Sequence, residues 1–151
     1  LRLALYQPDI PQNAGTLLRL AACMGFPVDV IEPCGFLWDE RRMRRAGMDY
    51  VVHAQVRRHV SWEVFHAVLR AQGQRLILLT TSGGEGLPGF AFRPDDVIMV
   101  GRESAGVPEA VAQAADVRLR IPMRPEVRSL NVALAATLAV GEALRQLQAY
   151  P

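Results

Sequence analysis

Val97-Ile98-Met99-Val100 runs without a break into Gly101-Arg102-Glu103-Ser104-Ala105-Gly106-Val107-Pro108. A short, continuous apolar run rich in branched residues and bounded by Gly or Pro reads as a strand buried on both faces, and Leu76-Ile77-Leu78-Leu79 has the same character. Outward from this pair, short apolar runs alternate with segments of helical period. Leu1 to Tyr6 is a strand. Asn13 to Met24 carries Leu17, Leu18, Leu20, Ala21 and Met24 at helical spacing and is stopped by Gly25 and Pro27. Val28 to Ile31 reads as a second strand, Trp38 to Ala46 as a short arginine-rich helix ended by Gly47, and Tyr50 to Ala54 as a further strand candidate. Ser61 is placed to cap a helix through Ala71, with Val64, Phe65, Val68 and Leu69 as its apolar stripe. After a strand at Val117 to Ile121 the chain closes with a helix from about Ser129 to Gln148. Strands that alternate with helices predict an α/β fold, a single domain over residues 1–151 with a parallel sheet flanked by helices.

Composition removes whole classes of function. With 151 residues, half of them apolar and 21% charged, and a net charge of +2, the chain is neither a disordered tail nor a disulfide scaffold. Its longest apolar stretch, Val132 to Gly141, falls short of the roughly 18 residues a bilayer span needs. A soluble, cytoplasmic chain without a membrane partner is expected. Cys23 and Cys34 form no C-x-x-C pair, so zinc-ribbon and thioredoxin chemistry lack their groups. All 17 basic residues are arginine, which excludes the P-loop lysine, the kinase lysine and Schiff-base catalysis.

Several patterns compete with plainer readings. Gly84, Gly86 and Gly89 satisfy G-x-G-x-x-G, yet a dinucleotide fingerprint must open directly into a helix, and Pro88 and Pro94 bracket a stretch without helical period. A surface loop is the expectation. His53, His59 and His66 have no metal-ligand spacing, so no metal is expected. In the last helix Ala133, Ala135, Ala136 and Ala139 make a small-residue surface that needs cover, either in the core or against another subunit. Arg41, Arg42, Arg44, Arg45, Arg57 and Arg58 face a single acid, Asp49. In a nearly neutral chain this local excess suits contact with a phosphate backbone, with Trp38 and Tyr50 as stacking partners.

Three segments hold polar and glycine residues at the C-terminal edges of expected strands, where open α/β sheets bind ligands. They are Pro11-Gln12-Asn13-Ala14-Gly15 running on to Arg19, Gly101 to Pro108, and Ile121-Pro122-Met123 followed by Arg128-Ser129-Leu130-Asn131. In order and spacing they resemble the signature motifs of the SPOUT class of RNA methyltransferases, in its SpoU branch, from Leu3 to Gln146. Ile31-Glu32-Pro33, Gly35-Phe36, Trp38-Asp39, Arg44-Arg45 and Gly47 to Tyr50 look like the minimal members that 2′-O-methylate the wobble nucleotide, cytidine or uridine 34, of tRNA.

The resemblance implies a C-terminal trefoil knot, a homodimer formed through the C-terminal helix, and S-adenosylmethionine as methyl donor. It puts Leu79, Thr80, Gly101, Ile121, Ser129, Leu130 and Asn131 at the cofactor, and Arg19, Asn13 and Glu103 in the catalytic set. Arg19 is the family's catalytic position. Because a guanidinium stays charged and is a poor base, its expected task is to orient ribose and phosphate and to stabilise the developing 2′-alkoxide. The same fold also serves ribosomal RNA and other tRNA sites. A binding module without catalysis is the alternative from another class.

Overall fold

In the computed structural model, which describes residues 1–39, 41, 50 and 53–151, the apolar runs become parallel strands whose alternate residues face opposite sides. Along the chain the elements are β1 (Arg2–Tyr6), α1 (Pro11–Met24), β2 (Val28–Ile31), β3 (Val56–His59), α2 (Trp62–Ala71), β4 (Leu76–Leu79), β5 (Glu85–Gly86), β6 (Val97–Val100), α3 (Glu109–Ala114), β7 (Val117–Arg120) and α4 (Val132–Leu147). The strands join in one sheet, ordered β3-β2-β1-β6-β4-β7-β5. Leu3 lies beside Val28 on one side and Ile98 on the other, and Ile77 is in register with both Ile98 and Val117.

Leu3, Leu5, Val28, Val30, Ile98 and Val100 face one layer, formed by α1 and α4. Ala4, Tyr6, Ile31, Leu76, Leu78, Val97 and Met99 face the other, where Phe65 and Leu69 of α2 and Val111 of α3 cover them. Burial on both faces is why the central strands carry no alternation in sequence. Helix α1 opens with Pro11 in its first turn and ends at Gly25, whose φ of 74° is left-handed. Ser61 Oγ accepts from the Val64 amide and caps α2 as expected.

Some expectations shift. Of the strand expected at Tyr50 to Ala54, Val51 and Val52 lie outside the described residues, and the His53 and Ala54 amides turn back onto the Tyr50 carbonyl; the strand found nearby is β3 at Val56–His59. As an edge strand β3 presents Arg57 and Arg58 to solvent and buries His59, so it has no apolar run by which to be recognised. The Gly84 to Gly89 segment is more than a surface loop, because Glu85 and Gly86 pair with Leu119 and Arg120. A Cβ on Gly84 would meet the Arg118 carbonyl oxygen at 2.2 Å, a close approach that only glycine permits. Most of the expected helix at Trp38 to Ala46 lies outside the described residues, as do Arg42, Arg44 and Arg45.

Two buried carboxylates anchor the sheet by ion pairs. Asp29 accepts two hydrogen bonds from Arg2, both at 2.8 Å, and stands 2.7 Å from His59 Nε2. Asp96, fully buried at the start of β6, accepts from Arg75 Nε and Nη2 at 2.7 Å each and from the Arg93 amide at 2.7 Å. Asp96→Ala is therefore expected to cost about 3–5 kcal/mol, since it strands a largely buried guanidinium and an amide. Urea unfolding should show the midpoint fall with an unchanged slope; a loss under about 1 kcal/mol would mean that water replaces the carboxylate.

Candidate active site

The C-terminal ends of β4, β6 and β7 and the loops that leave them enclose a cavity of about 680 Å³. Leu79, Thr80, Gly101, Ile121, Ser129, Leu130 and Asn131, all expected at the cofactor, line it, and so do Asn13 and Glu103. Its wall also includes residues not assigned to the cofactor from the sequence, among them Val107 and Met123, which lie within the motif segments, and Arg118, which lies outside them.

A series of side-chain hydrogen bonds ties three loops together at this edge. Asn131 Oδ1 caps α4, accepting from the Ala133 amide at 2.8 Å and the Leu134 amide at 3.3 Å. Its Nδ2 donates to Asn13 Oδ1 at 3.0 Å, and Asn13 Nδ2 donates in turn to Glu103 Oε1 at 3.2 Å. Glu103 Oε2 accepts from the Asp9 amide at 3.0 Å, and Asp9 Oδ1 accepts from the Glu103 amide at 3.0 Å. Ser104 adds a hydroxyl donor to Asp9. Helix α1, the loop after β6 and the start of α4 are thus locked in mutual register. Asp9 is the member of this network that no sequence motif marks.

Hydrogen bonding with the Glu103 carboxyl holds Asp9 down to about 2. Glu103 is pushed up, first by burial and then by its hydrogen bond with Asp9. Opposite shifts place the ionised charge on Asp9 and leave Glu103 as the member that more readily holds a proton.

Gly101 fixes the second loop. Arg102 and Gly106 form a two-bond bridge, Arg102 N to Gly106 O at 3.0 Å and Gly106 N to Arg102 O at 2.8 Å. This hairpin brings Gly106 so near that a Cβ on Gly101 would sit 2.7 Å from its carbonyl carbon. The Arg102 guanidinium lies 5.8 Å over the Tyr6 ring, which holds the hairpin against the α2 side of the sheet.

The cavity can take a flat aromatic ligand with a polar tail. Its volume falls within the roughly 300–1,000 Å³ of small-molecule sites. Leu79, Ile121 and Leu130 offer apolar walls, while Thr80, Ser129 and the loop backbones offer polar groups. The residues present therefore fit the implied S-adenosylmethionine.

Arg19 stands apart from this group. It is exposed on α1, does not line the cavity, and its guanidinium lies 4.4 Å over the Tyr50 ring. Among the expected RNA contacts, Arg57 is exposed on β3, Arg58 is paired with Glu32 and lies 5.8 Å over Trp38, and the exposed Arg41 donates its amide to Asp39 Oδ1 at 2.9 Å. The histidines occupy three separate places: His59 on Asp29, His66 stacked on Trp62 with ring centres 4.9 Å apart, and His53 in an exposed turn. Burial pushes the Cys34 thiol up to about 11, which keeps it protonated and inert.

Known proteins resemble this chain over nearly its whole length. A tRNA (cytidine(34)-2′-O)-methyltransferase of Beijerinckia indica is 56% identical over 147 residues, covering 97% of this chain and 92% of the relative. A solved structure concerned with 2-OH methylation of C/U34 on tRNA superposes with a TM-score of 0.90 at 43% identity, covering 97% of this chain and 95% of that one. An AdoMet-bound rRNA methyltransferase from Sinorhizobium meliloti superposes at 0.85 with 27% identity, over 97% of this chain and 56% of its own. Residues 1–141 match the model of the SpoU rRNA methylase family, and to that family this chain belongs.

Proposed function

We propose that this chain methylates the ribose 2′-hydroxyl of the wobble nucleotide, cytidine or uridine 34, of tRNA. The observation that carries the reading is the cavity at the ends of β4, β6 and β7, whose walls hold every residue expected at the cofactor in a SpoU-family chain. Similarity to wobble-nucleotide methyltransferases across nearly the whole length supports the choice of substrate.

When bound, S-adenosylmethionine supplies a sulfonium-activated methyl that an in-line ribose oxygen can take without a metal. The chain's own residues hold and align. Leu79, Ile121 and Leu130 would hold the apolar part of the cofactor, and Thr80, Gly101 and Ser129 would meet its polar groups, mostly through backbone groups. Asn131, Asn13 and Glu103 keep the three loops in register, so that the two reactants meet at fixed distance and angle. Arg19 orients the ribose and its phosphate and stabilises the negative charge that develops on the 2′-oxygen.

Because Arg19 does not line the cavity of its own subunit, the reading includes a homodimer. Helix α4 supports it: Leu134 and Leu138 are 59% and 50% exposed and stand one helical turn apart. Pairing there would bring one subunit's Arg19 and Tyr50, with Arg41, Arg42, Arg44, Arg45, Arg57 and Arg58, toward the other's cavity. The reading also takes residues 1–151 as one catalytic domain of a cytoplasmic enzyme and the segment from β7 to α4 as a trefoil knot. In support, β7 inserts between β4 and β5 before the chain returns as α4 to pack on α1.

Incubation with methyl-labelled S-adenosylmethionine and bulk tRNA, followed by mass mapping, tests the proposal. Label on the 2′-oxygen of nucleotide 34 is expected. Label on another nucleotide, or only on ribosomal RNA, would move the substrate within the family. Calorimetry with S-adenosylhomocysteine should show one site per subunit; an absence of binding heat at millimolar ligand would remove the enzyme reading altogether.

A further inference from the structure

Sorting the arginines by what they touch exposes a second basic surface. Arg2, Arg58, Arg70, Arg75, Arg118 and Arg145 each sit on a carboxylate. Arg19 and Arg102 lie over aromatic rings. Among the described residues Arg57 and Arg93 do neither, and nor do Arg120, Arg124 and Arg128, which are all exposed. The last three fall within nine residues of one another, and the stretch between them holds one acid, Glu126.

Their placement is specific. The Val127 amide donates to the Arg124 carbonyl at 3.2 Å, closing a turn with Pro125 and Glu126 at its corners. Such a turn brings the α-carbons of Arg124 and Val127 within about 7 Å, and Arg128 follows it directly. Arg120 ends β7. Between and beside these arginines, Ile121, Met123, Ser129 and Leu130 form the wall of the cavity. One short segment thus alternates between cavity wall and uncommitted positive charge. An arginine kept free of carboxylates in a chain that pairs so many others retains its full charge for an external anion.

We propose that Arg120, Arg124 and Arg128 form a phosphate-binding edge at the cavity mouth, which grips the RNA backbone flanking the nucleotide whose ribose enters the cavity. The inference rests on the reading of the cavity as an RNA methylation site, and it adds contacts made by the same subunit that holds the cofactor. The arginines from 41 to 58 form a separate group.

A competing anion is the carboxylate of the cofactor's amino-acid part, and the test separates the two. Arg124→Gln, Arg128→Gln and the triple variant with Arg120→Gln are titrated with bulk tRNA in the presence of S-adenosylhomocysteine, between about 50 and 200 mM salt. Every phosphate that is no longer neutralised should reduce the log–log salt slope by roughly 0.7–0.9, so the triple variant should flatten it by about two to three units. Calorimetric affinity for S-adenosylhomocysteine should stay within twofold of wild type, which also shows that the variants fold. An unchanged slope overturns the proposal. So does a tenfold loss of S-adenosylhomocysteine affinity with the slope intact, which would assign the arginines to the cofactor. Wild-type protein that binds tRNA with the expected slope yet transfers no methyl group would instead defeat the methyltransferase reading and leave the phosphate edge standing.

Discussion

Arg19→Ala should lower turnover of the wobble methylation by about two to three orders of magnitude, the usual consequence of removing one charged donor from a developing oxyanion. Affinity for S-adenosylhomocysteine should be unchanged, because Arg19 does not line the cavity. The two outcomes belong together: an interaction made only in the transition state lowers kcat without touching ground-state binding of the cofactor. Arg19→Lys should rescue little, since a point charge reproduces neither the planar fork nor the stacking on Tyr50 seen at 4.4 Å. Stability should hardly change, as the side chain lies at the surface and its stacking on Tyr50 is a cation–π pair of about 0.5–1 kcal/mol. Single-turnover kinetics read the effect directly. Unchanged turnover in the alanine variant would reduce Arg19 to a partner of Tyr50 and take it out of the chemistry.

The cavity residues were legible in the sequence because motif spacing fixes where strands end. Gly101 follows an apolar run that must stop at the edge of a buried sheet, and Ile121 follows another, so both fall at the C-terminal edge that binds ligands. Asn13, Glu103 and Asn131 are assigned to the site by their resemblance to the family's motif residues, and the fold adds that they bond to one another across 118 and 90 positions of chain. Asp9 left no signal. One acid in a proline-bounded turn looks like any turn residue until its partner Glu103 is beside it. Elements at the margins were equally silent: β5 has two residues, too few for any period, and α3 has six. β3 is built from Val-Arg-Arg-His, whose strand character comes from pairing with β2 and from the buried bond of His59 to Asp29. Charges, too, can be counted in a sequence, but whether an arginine is spent on a carboxylate cannot. Arg58 counts toward the basic cluster in the sequence and is paired with Glu32 in the fold, whereas Arg124 and Arg128 look like ordinary surface residues and are uncommitted.

Alanine is the residue type on which periodicity says least, and α4 shows why. A small apolar side chain suits a tight core and a tight subunit interface equally, so its sequence leaves both open. The structure turns Ala133, Ala136, Ala139 and Ala143 inward, against α1 and the sheet, and leaves Leu134 and Leu138 outside. Two kinds of substitution on one helix should therefore fail in different ways. Ala139 is fully buried, and Ala139→Trp demands far more room than the added methylenes that cost about 1–3 kcal/mol in well-packed cores; no folded protein is expected. Leu134→Glu with Leu138→Glu should instead leave the monomer folded, with an unfolding midpoint near that of wild type at equal protein concentration extrapolated to the monomer. Each leucine appears twice in a twofold interface. Withdrawing four half-buried side chains at roughly 1 kcal/mol apiece, before any charge repulsion, weakens association by about 4 kcal/mol, or close to a thousandfold in Kd. Sedimentation should then report monomers at micromolar concentration, and methyl transfer to tRNA should fall with the dimer, because Arg19 and the cavity it serves would lie on different subunits. Wild type that sediments as a monomer while remaining fully active, or a double variant that stays dimeric, would move Arg19 back to its own subunit's cavity or the interface to another face.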